Sequence, residues 1–272
     1  MSKTPDRREE RIARAGRAVG RGRVESNHAG RQRRSSASDV CAVILAGGNG
    51  SRAGGRIPKQ LHPLRCGRTV LDLSLATYEA MREVDAIAVV YNDNYEHETH
   101  QIASRYPKMR WLVSGGETRQ ESVRHAIESL TSKYVLVHDA ARPLVSQRTV
   151  SECIARLRAG HVCVNTVFQP TATMVVLENG KMVGTMDRNN IALGQCPQGF
   201  VRELLLHAHD IVSRRQVKSF TDDCGLMIAA GLVEHVETVQ GSLYGFKLTY
   251  PPDMDYLELC LAAVREDERV DT

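Results

Sequence analysis

The chain has 272 residues, a formal net charge of +4, 42% hydrophobic residues and seven cysteines. No apolar run approaches the ~18 residues that a membrane span needs, and no secretory apolar segment precedes the first core-like stretch, so membrane and export classes are excluded and a cytoplasmic protein is predicted. The cysteines (41, 66, 153, 163, 196, 224 and 260) are odd in number and never spaced Cys-x-x-Cys, which argues against a disulfide framework or a zinc site and for reduced core residues.

Residues 1–38 hold ten arginines and Lys3 against Asp6, Glu9, Glu10 and Glu25, with no aromatic residue. Such a segment buries too little surface to offset its chain entropy and is expected to be a disordered tail. It could bind acidic surfaces weakly, or act as a transit peptide, although Glu9 and Glu10 oppose the latter; a dispensable extension is the favoured reading. The tail balances to +7 and leaves −3 for residues 39–272, so its basicity does not make the body a nucleic-acid binder.

The body, 39–272, opens on the apolar run Val40–Ala46, which reads as a buried parallel strand. It stops at Gly47-Gly48-Asn49-Gly50, whose missing β-carbons let backbone N–H groups approach a ligand, and the cations Arg52 and Lys59 follow. Oriented amides at a strand end beside fixed positive charge suit a nucleoside triphosphate. No Walker A loop is present, because no Gly-Lys-Ser or Gly-Lys-Thr run exists. A dinucleotide fingerprint is formally there in Gly48-x-Gly50-x-x-Ala53, but Gly54, Gly55 and Pro58 interrupt the helix it requires, and about 20 positions on the chain reads Arg68-Thr69-Val70-Leu71-Asp72 at a predicted helix start instead of a strand ending in an acid.

Further strands are predicted at 86–91, 110–114, 134–138, 162–167 and 235–239. Helices are predicted near 69–82, 95–105, 118–130, 147–159, 199–213, 222–231 and 252–266. The alternation implies an α/β, Rossmann-like, doubly wound and mostly parallel sheet. Thr173–Leu177 and Lys181–Met186 flank Glu178-Asn179-Gly180, a hairpin signal, and a hairpin inserted in such a sheet projects as an arm at about 170–190. Ligands of open α/β sheets lie beyond the carboxyl ends of the strands. Three such ends carry polar or glycine-rich segments: the loop after 40–46, Gly115–Ser122 after 110–114, and Asp139-Ala140-Ala141-Arg142-Pro143 after 134–138. One crevice lined from three loops is therefore expected.

Ile44–Gln60, Gly115–Ser122 and Val137–Pro143 together resemble the cytidylyltransferases of the methylerythritol phosphate pathway and their relatives that activate ribitol phosphate, a nucleotide-diphospho-sugar transferase type of fold. Asp187-Arg188-Asn189, Pro197-Gln198-Gly199-Phe200, Thr221-Asp222-Asp223 and Phe246-Lys247-Leu248-Thr249 extend the likeness over 40–266. The resemblance implies that CTP and a polyol phosphate give a CDP-polyol and pyrophosphate, with Mg²⁺, in a homodimer. It also implies that Ala46, Gly47 and Gly48 line the nucleotide, that Arg52 and Lys59 meet its phosphates, and that Gly116 and Ser122 hold the cytidine. Asp139 falls on a metal- and substrate-contacting aspartate, and Arg142 on a substrate-site arginine. Thr173 and Arg188 fall on the arm that serves the neighbouring subunit, while Thr221 and Lys247 complete the acceptor and phosphate sites. Asp222 is read with Thr221 as a site residue and Asp223 as a helix cap; His138 is read as a core group.

The chemistry agrees with a site of cations. The nucleophile, a phosphate oxygen, is already ionised at neutral pH, so the reaction needs positioning and charge neutralisation rather than a general base. Arg52, Lys59 and Lys247 are the catalytic candidates. Cys196 stands where this family usually has threonine, and Leu45-Ala46-Gly47-Gly48 where Pro-Ala-Ala-Gly is commoner; Gly194-Gln195 looks like the ribitol branch. The acceptor is read as 2-C-methyl-D-erythritol 4-phosphate, with ribitol 5-phosphate as the alternative. A non-catalytic nucleotide-binding regulator is the reading from another class, opposed by the retention of Arg52, Lys59, Asp139 and Lys247.

Overall fold

The computed structural model describes residues 39–48, 57–215 and 220–270, with side chains to 263. The expectations for the tail and for Arg52 fall outside the described residues. Nine strands and seven α-helices follow in order among the described residues. They are β1 (Val40–Leu45), α1 (Val70–Ala80), β2 (Ala86–Tyr91), α2 (Glu96–Ala103), β3 (Met109–Ser114), α3 (Arg119–Ser129), β4 (Tyr134–Asp139) and α4 (Gln147–Arg158). Then come β5 (Cys163–Phe168), β6 (Val175–Glu178), β7 (Lys181–Thr185), β8 (Leu193–Val201), α5 (Arg202–Arg214), α6 (Asp223–Ala230), β9 (Glu237–Gln240) and α7 (Pro252–Val270).

Seven strands form one sheet in the order β3-β2-β1-β4-β8-β5-β9, parallel except for β8, which runs antiparallel to both β4 and β5. The strands β1 to β3 step outwards one way, and β4 returns to pair with the other side of β1, so the winding reverses at the β1–β4 pair. That reversal is where an open α/β sheet forms its ligand crevice.

The continuous apolar runs follow from burial on both faces. In β1, Val40, Ala42 and Ile44 join Leu71, Leu75 and Tyr78 of α1 and Val150, Ile154 and Leu157 of α4. The alternate residues Cys41 and Val43 join Val123 and Ile127 of α3, Leu205 and Val212 of α5, and Leu226 and Met227 of α6. The period of two thus delivers every β1 side chain to one helical layer or the other, each large aliphatic group contributing about 1.5–3 kcal/mol on burial. Six of the seven cysteines are buried, and all seven are free thiols.

Strand β8 is absent from the sequence reading, which starts a helix at 199 instead. Gly194, Pro197 and Gly199 depress strand propensity, and proline lacks the N–H that a central strand donates. The β5–β8 ladder slips between Asn165 and Val167, and the Thr166 hydroxyl donates to Pro197 O at 2.6 Å. Gly199 is needed for a different reason: a Cβ there would lie 2.6 Å from Cys153 Sγ and 3.0 Å from a Leu157 methyl, because α4 packs onto the strand at that point.

Strands β6 and β7 pair only with each other, around a turn with Asn179 and Gly180 at φ 52° and 77°. This is the hairpin arm. Its Val175, Val176, Leu177, Met182 and Val183 are exposed, Leu177 and Met182 to 60%.

Candidate active site

A cavity of about 420 Å³ opens beyond the carboxyl ends of β1, β3 and β4. The loop after β1 supplies Gly47 and Gly48, the segment before and within α3 supplies Gly116, Thr118, Arg119 and Ser122, and the end of β4 supplies Asp139 and Ala141. Lys59 and Lys247 complete the charged wall. The three-loop crevice expected from the sequence is present.

Two side-chain amides hold the backbone at Gly47 and Gly48. Gln60, 4% exposed, donates through Nε2 to Ala46 O at 2.6 Å and Gly48 O at 2.8 Å, and Asn92 Nδ2 donates to Gly47 O at 3.1 Å. With those carbonyls engaged, the backbone of Ala46, Gly47 and Gly48 is held in place before any ligand arrives. On the opposite wall, Thr118 and Glu121 form a reciprocal capping box at the start of α3, and Gly116 N donates to Ser122 Oγ at 3.0 Å. A Cβ on Gly116 would overlap Glu121 at 2.3 Å, so only glycine permits this approach.

Asp139 is the electrostatic centre. Its Oδ1 accepts from Arg119 Nε at 3.2 Å and its Oδ2 from Lys247 Nζ at 2.6 Å. Burial alone would raise this carboxyl, but Arg119, then Lys247 and Arg142 outweigh it and hold Asp139 well below the usual carboxylate range. Arg119 also donates to Asp223 Oδ2 at 2.6 Å. Burial lifts the Asp223 carboxyl above its ordinary value even against that arginine. Asp223 N in turn donates to Gln198 Oε1, and Gln198 Nε2 to Asn165 Oδ1, so a polar chain runs from β5 through β8 to the cavity.

Of the residues named from sequence, Gly47, Gly48, Lys59, Gly116, Ser122, Asp139 and Lys247 meet at this cavity. Ala46 lies one step behind, buried in the ladder, where its N donates to Val90 O. Arg142 is not part of the wall: Nη1 donates to Gly245 O at 2.6 Å and Nη2 to Gly194 O at 3.1 Å, tying the end of β4 to two other segments. Thr173 and Arg188 are exposed on and beside the arm, Arg188 Nη1 donating to Thr171 O, and Thr221 is exposed as well. The two aspartates exchange parts. Asp222 caps α6 by accepting from Gly225 N at 2.7 Å, whereas Asp223 is the one paired with the cavity arginine. Both acids suit a helix start, and only the third dimension tells which faces inward.

His138 is a core group: its Nε2 lies 3.1 Å from Arg142 O, its ring packs edge-on to Tyr78, and burial pushes its pKa down to about 4. Gln60, Asn92, Arg119 and Asp223 are the site residues that the sequence reading leaves out. Gln60 and Arg119 do lie inside the quoted segments Ile44–Gln60 and Gly115–Ser122, which is the signal that could have found them.

The family model for 2-C-methyl-D-erythritol 4-phosphate cytidylyltransferase matches residues 40–263. The chain belongs to that family. It is 36% identical over 232 residues to the enzyme of that name from Thermobifida fusca, covering 82% of this chain and 93% of the relative. It is 32% identical to the one from Lachnoclostridium phytofermentans, with 82% and 96% covered. Among solved structures, 4-diphosphocytidyl-2C-methyl-D-erythritol synthase from Anaerococcus prevotii superposes with a TM-score of 0.72 at 25% identity over 82% of this chain and 96% of that one. The Thermus thermophilus cytidylyltransferase gives 0.65 at 29% identity over 81% and 98%. The membership fixes the nucleotidyltransferase class of the enzyme. Among the described residues no helix is long and apolar enough to cross a membrane.

Proposed function

We propose that the protein transfers CMP from CTP to 2-C-methyl-D-erythritol 4-phosphate, releasing pyrophosphate, in isoprenoid precursor synthesis. The observation that carries this is the cavity in which Gly47, Gly48, Lys59, Lys247 and the charged Asp139 converge, in a chain of this family. The acceptor phosphate attacks the α-phosphorus of CTP, and the bond to the β-phosphate bridging oxygen breaks. The acceptor oxygen is already anionic, so no side chain need remove a proton, and the work left to the protein is alignment and neutralisation.

The backbone amides of Gly47 and Gly48 approach the nucleotide, Gly116 and Ser122 receive the cytidine, and Lys59 faces the phosphates. Arg52, from the same motif, is assigned to the phosphates with it. The described ionic groups of the wall are Lys59, Arg119 and Lys247 against Glu117 and Asp139, a surplus of one positive charge facing a triphosphate. A Mg²⁺ ion fits that shortfall and fits the donor set. Asp139 is one hard carboxylate, and among the described residues no group of three ligands forms a cage, as suits a metal that arrives bound to phosphate. Asp139 would hold it, and when bound it would supply positive charge to the α-phosphate and the leaving pyrophosphate. Lys247 and Arg119, which share Asp139, orient that carboxylate.

The arm belongs to the same proposal. Its exposed valines, Leu177 and Met182 favour packing against a second copy of the chain, and Thr173, Arg188 and Thr221 would then complete the acceptor side of a shared site in a homodimer, while Arg142 stays tied to Gly245 O and Gly194 O. Pyrophosphate release tests the assignment, with each of the four nucleoside triphosphates offered against 2-C-methyl-D-erythritol 4-phosphate and ribitol 5-phosphate. Turnover is expected with CTP and the methylerythritol acceptor; a preference for ribitol 5-phosphate, or no turnover with either, would refute it.

A further inference from the structure

Lys247 reaches Asp139 from a segment with almost no regular structure. Between β9 and α7 the chain passes through Gly241–Tyr250 with a single 3₁₀ turn at Leu243–Gly245. Such a segment holds a lysine in place only if its backbone is fastened from outside. Gln195 of β8 provides that fastening. Its side chain is buried, Nε2 donates to Ser242 O at 2.9 Å, and Oε1 accepts from Ser242 N at 3.2 Å. One primary amide thereby satisfies both backbone groups of a single loop residue.

The fit is tight on two sides. A Cβ added to Gly241 would come within 2.2 Å of Gln195 Oε1, and one added to Gly245 within 2.3 Å. The amide therefore occupies a gap that only the two glycines leave. Arg142 grips Gly245 O and Gly194 O, and Leu248 N donates to Ala141 O at 2.9 Å. The loop is sewn to β8 on one side and to the end of β4 on the other, and Lys247 lies two residues beyond the clamped turn.

We propose that Gln195 is a positioning residue of the reaction: by clamping Ser242 between Gly241 and Gly245 it sets the backbone from which Lys247 meets Asp139 and the substrate phosphates. It touches no reacting atom. The proposal rests on the reading of Lys247 as a catalytic cation, and the test separates the two. Gln195→Glu keeps the size and the acceptor for Ser242 N, but a carboxylate cannot donate to Ser242 O.

Turnover and melting temperature are measured for the wild type, Gln195→Glu, Lys247→Ala and the double variant, with CTP and 2-C-methyl-D-erythritol 4-phosphate. Gln195→Glu should lower kcat roughly 10- to 100-fold, the scale of a displaced catalytic group, with the KM for CTP little changed. In the Lys247→Ala background the same change should cost little further, because the cation that Gln195 positions is gone. Losses that multiply in the double variant, or a lowered melting temperature with kcat unchanged, would show a structural role only and overturn the proposal. A Lys247→Ala variant with wild-type kcat would overturn the reading of Lys247 itself, and the proposal with it. Gly245→Ala, which pushes on the same amide from the other side, carries the same test should Gln195→Glu fail to fold.

Discussion

Asp139 stays ionised where burial opposes it, because two cations share its oxygens and a buried acid restrains one of them. The arrangement makes Lys59 and Lys247 unequal in kind. Lys247 is held by a carboxylate, while Lys59 Nζ donates to Leu248 O and anchors the Lys247 segment as well as facing the cavity. Lys59→Ala is expected to lower kcat by about 10²-fold or more, since one lost electrostatic contact to the transition state costs about 2.7–4 kcal/mol. Steady-state kinetics check this; an effect confined to KM would remove Lys59 from the transition state. Gly47, Gly48, Lys59 and Asp139 are legible in the sequence because they follow predicted strands, whereas the roles of Gly116, Ser122 and Lys247 come only from the family resemblance. The supports are not legible there. Gln60, Asn92 and Gln195 are ordinary amides until the fold shows which backbone groups they satisfy, and Arg119 acquires meaning only through Asp139 and Asp223, 20 and 104 positions away.

At the scale of elements, the parallel strands and their helices follow from apolar runs that alternate with amphipathic ones, and the observed bounds differ from the predicted ones mainly at the ends. Strand β8 escapes because its glycines and proline answer to packing and register rather than to propensity. On α6, Asp222→Ala should cost the cap, about 1 kcal/mol in denaturant unfolding. Asp223→Asn should appear chiefly as lost turnover, through the loosened Arg119; the opposite pattern would restore the sequence assignment of the pair. Helix α5 carries a pH dependence of its own. His209 is buried with Nε2 unpartnered, and its pKa is pushed down to about 4, first by burial and then by Arg124, against the pull of Asp210 and Glu128. The unfolded chain takes up this proton near pH 6.5 and the folded one only near pH 4, so stability is present above 6.5 and falls as the pH drops through that window, by at most about 3 kcal/mol. His209→Leu should flatten part of the slope of unfolding free energy between pH 7 and 4. His138, shifted the same way by burial, would supply the remainder; an unchanged slope in His209→Leu would show that the histidine is hydrated.

For the whole molecule, the described cavity is better equipped for the nucleotide than for the acceptor. Gly47, Gly48, Gly116, Lys59 and Ser122 all line the cavity, yet of the six residues assigned to the acceptor only Asp139 does. Thr173 and Arg188 stand instead with an arm whose apolar side chains face solvent in the single chain. A two-stranded ribbon is marginal alone in water, so an arm of this composition gains most by packing against its own copy about a two-fold axis. That geometry would carry an arginine, whose fork suits a phosphate, from each chain to the other's cavity. The consequence is measurable without a structure of the assembly. A Lys59→Ala chain and an Arg188→Ala chain are each expected to be nearly inactive. Mixed, and allowed to exchange subunits, they form a heterodimer with one doubly damaged site and one intact site, and activity should recover towards a quarter of the wild-type value at equal ratio. Half of the dimers are then mixed, and half of the sites in those are whole. No recovery after exchange has been verified by native mass spectrometry, or a monomer at working concentration, would place both residues in a site made by one chain.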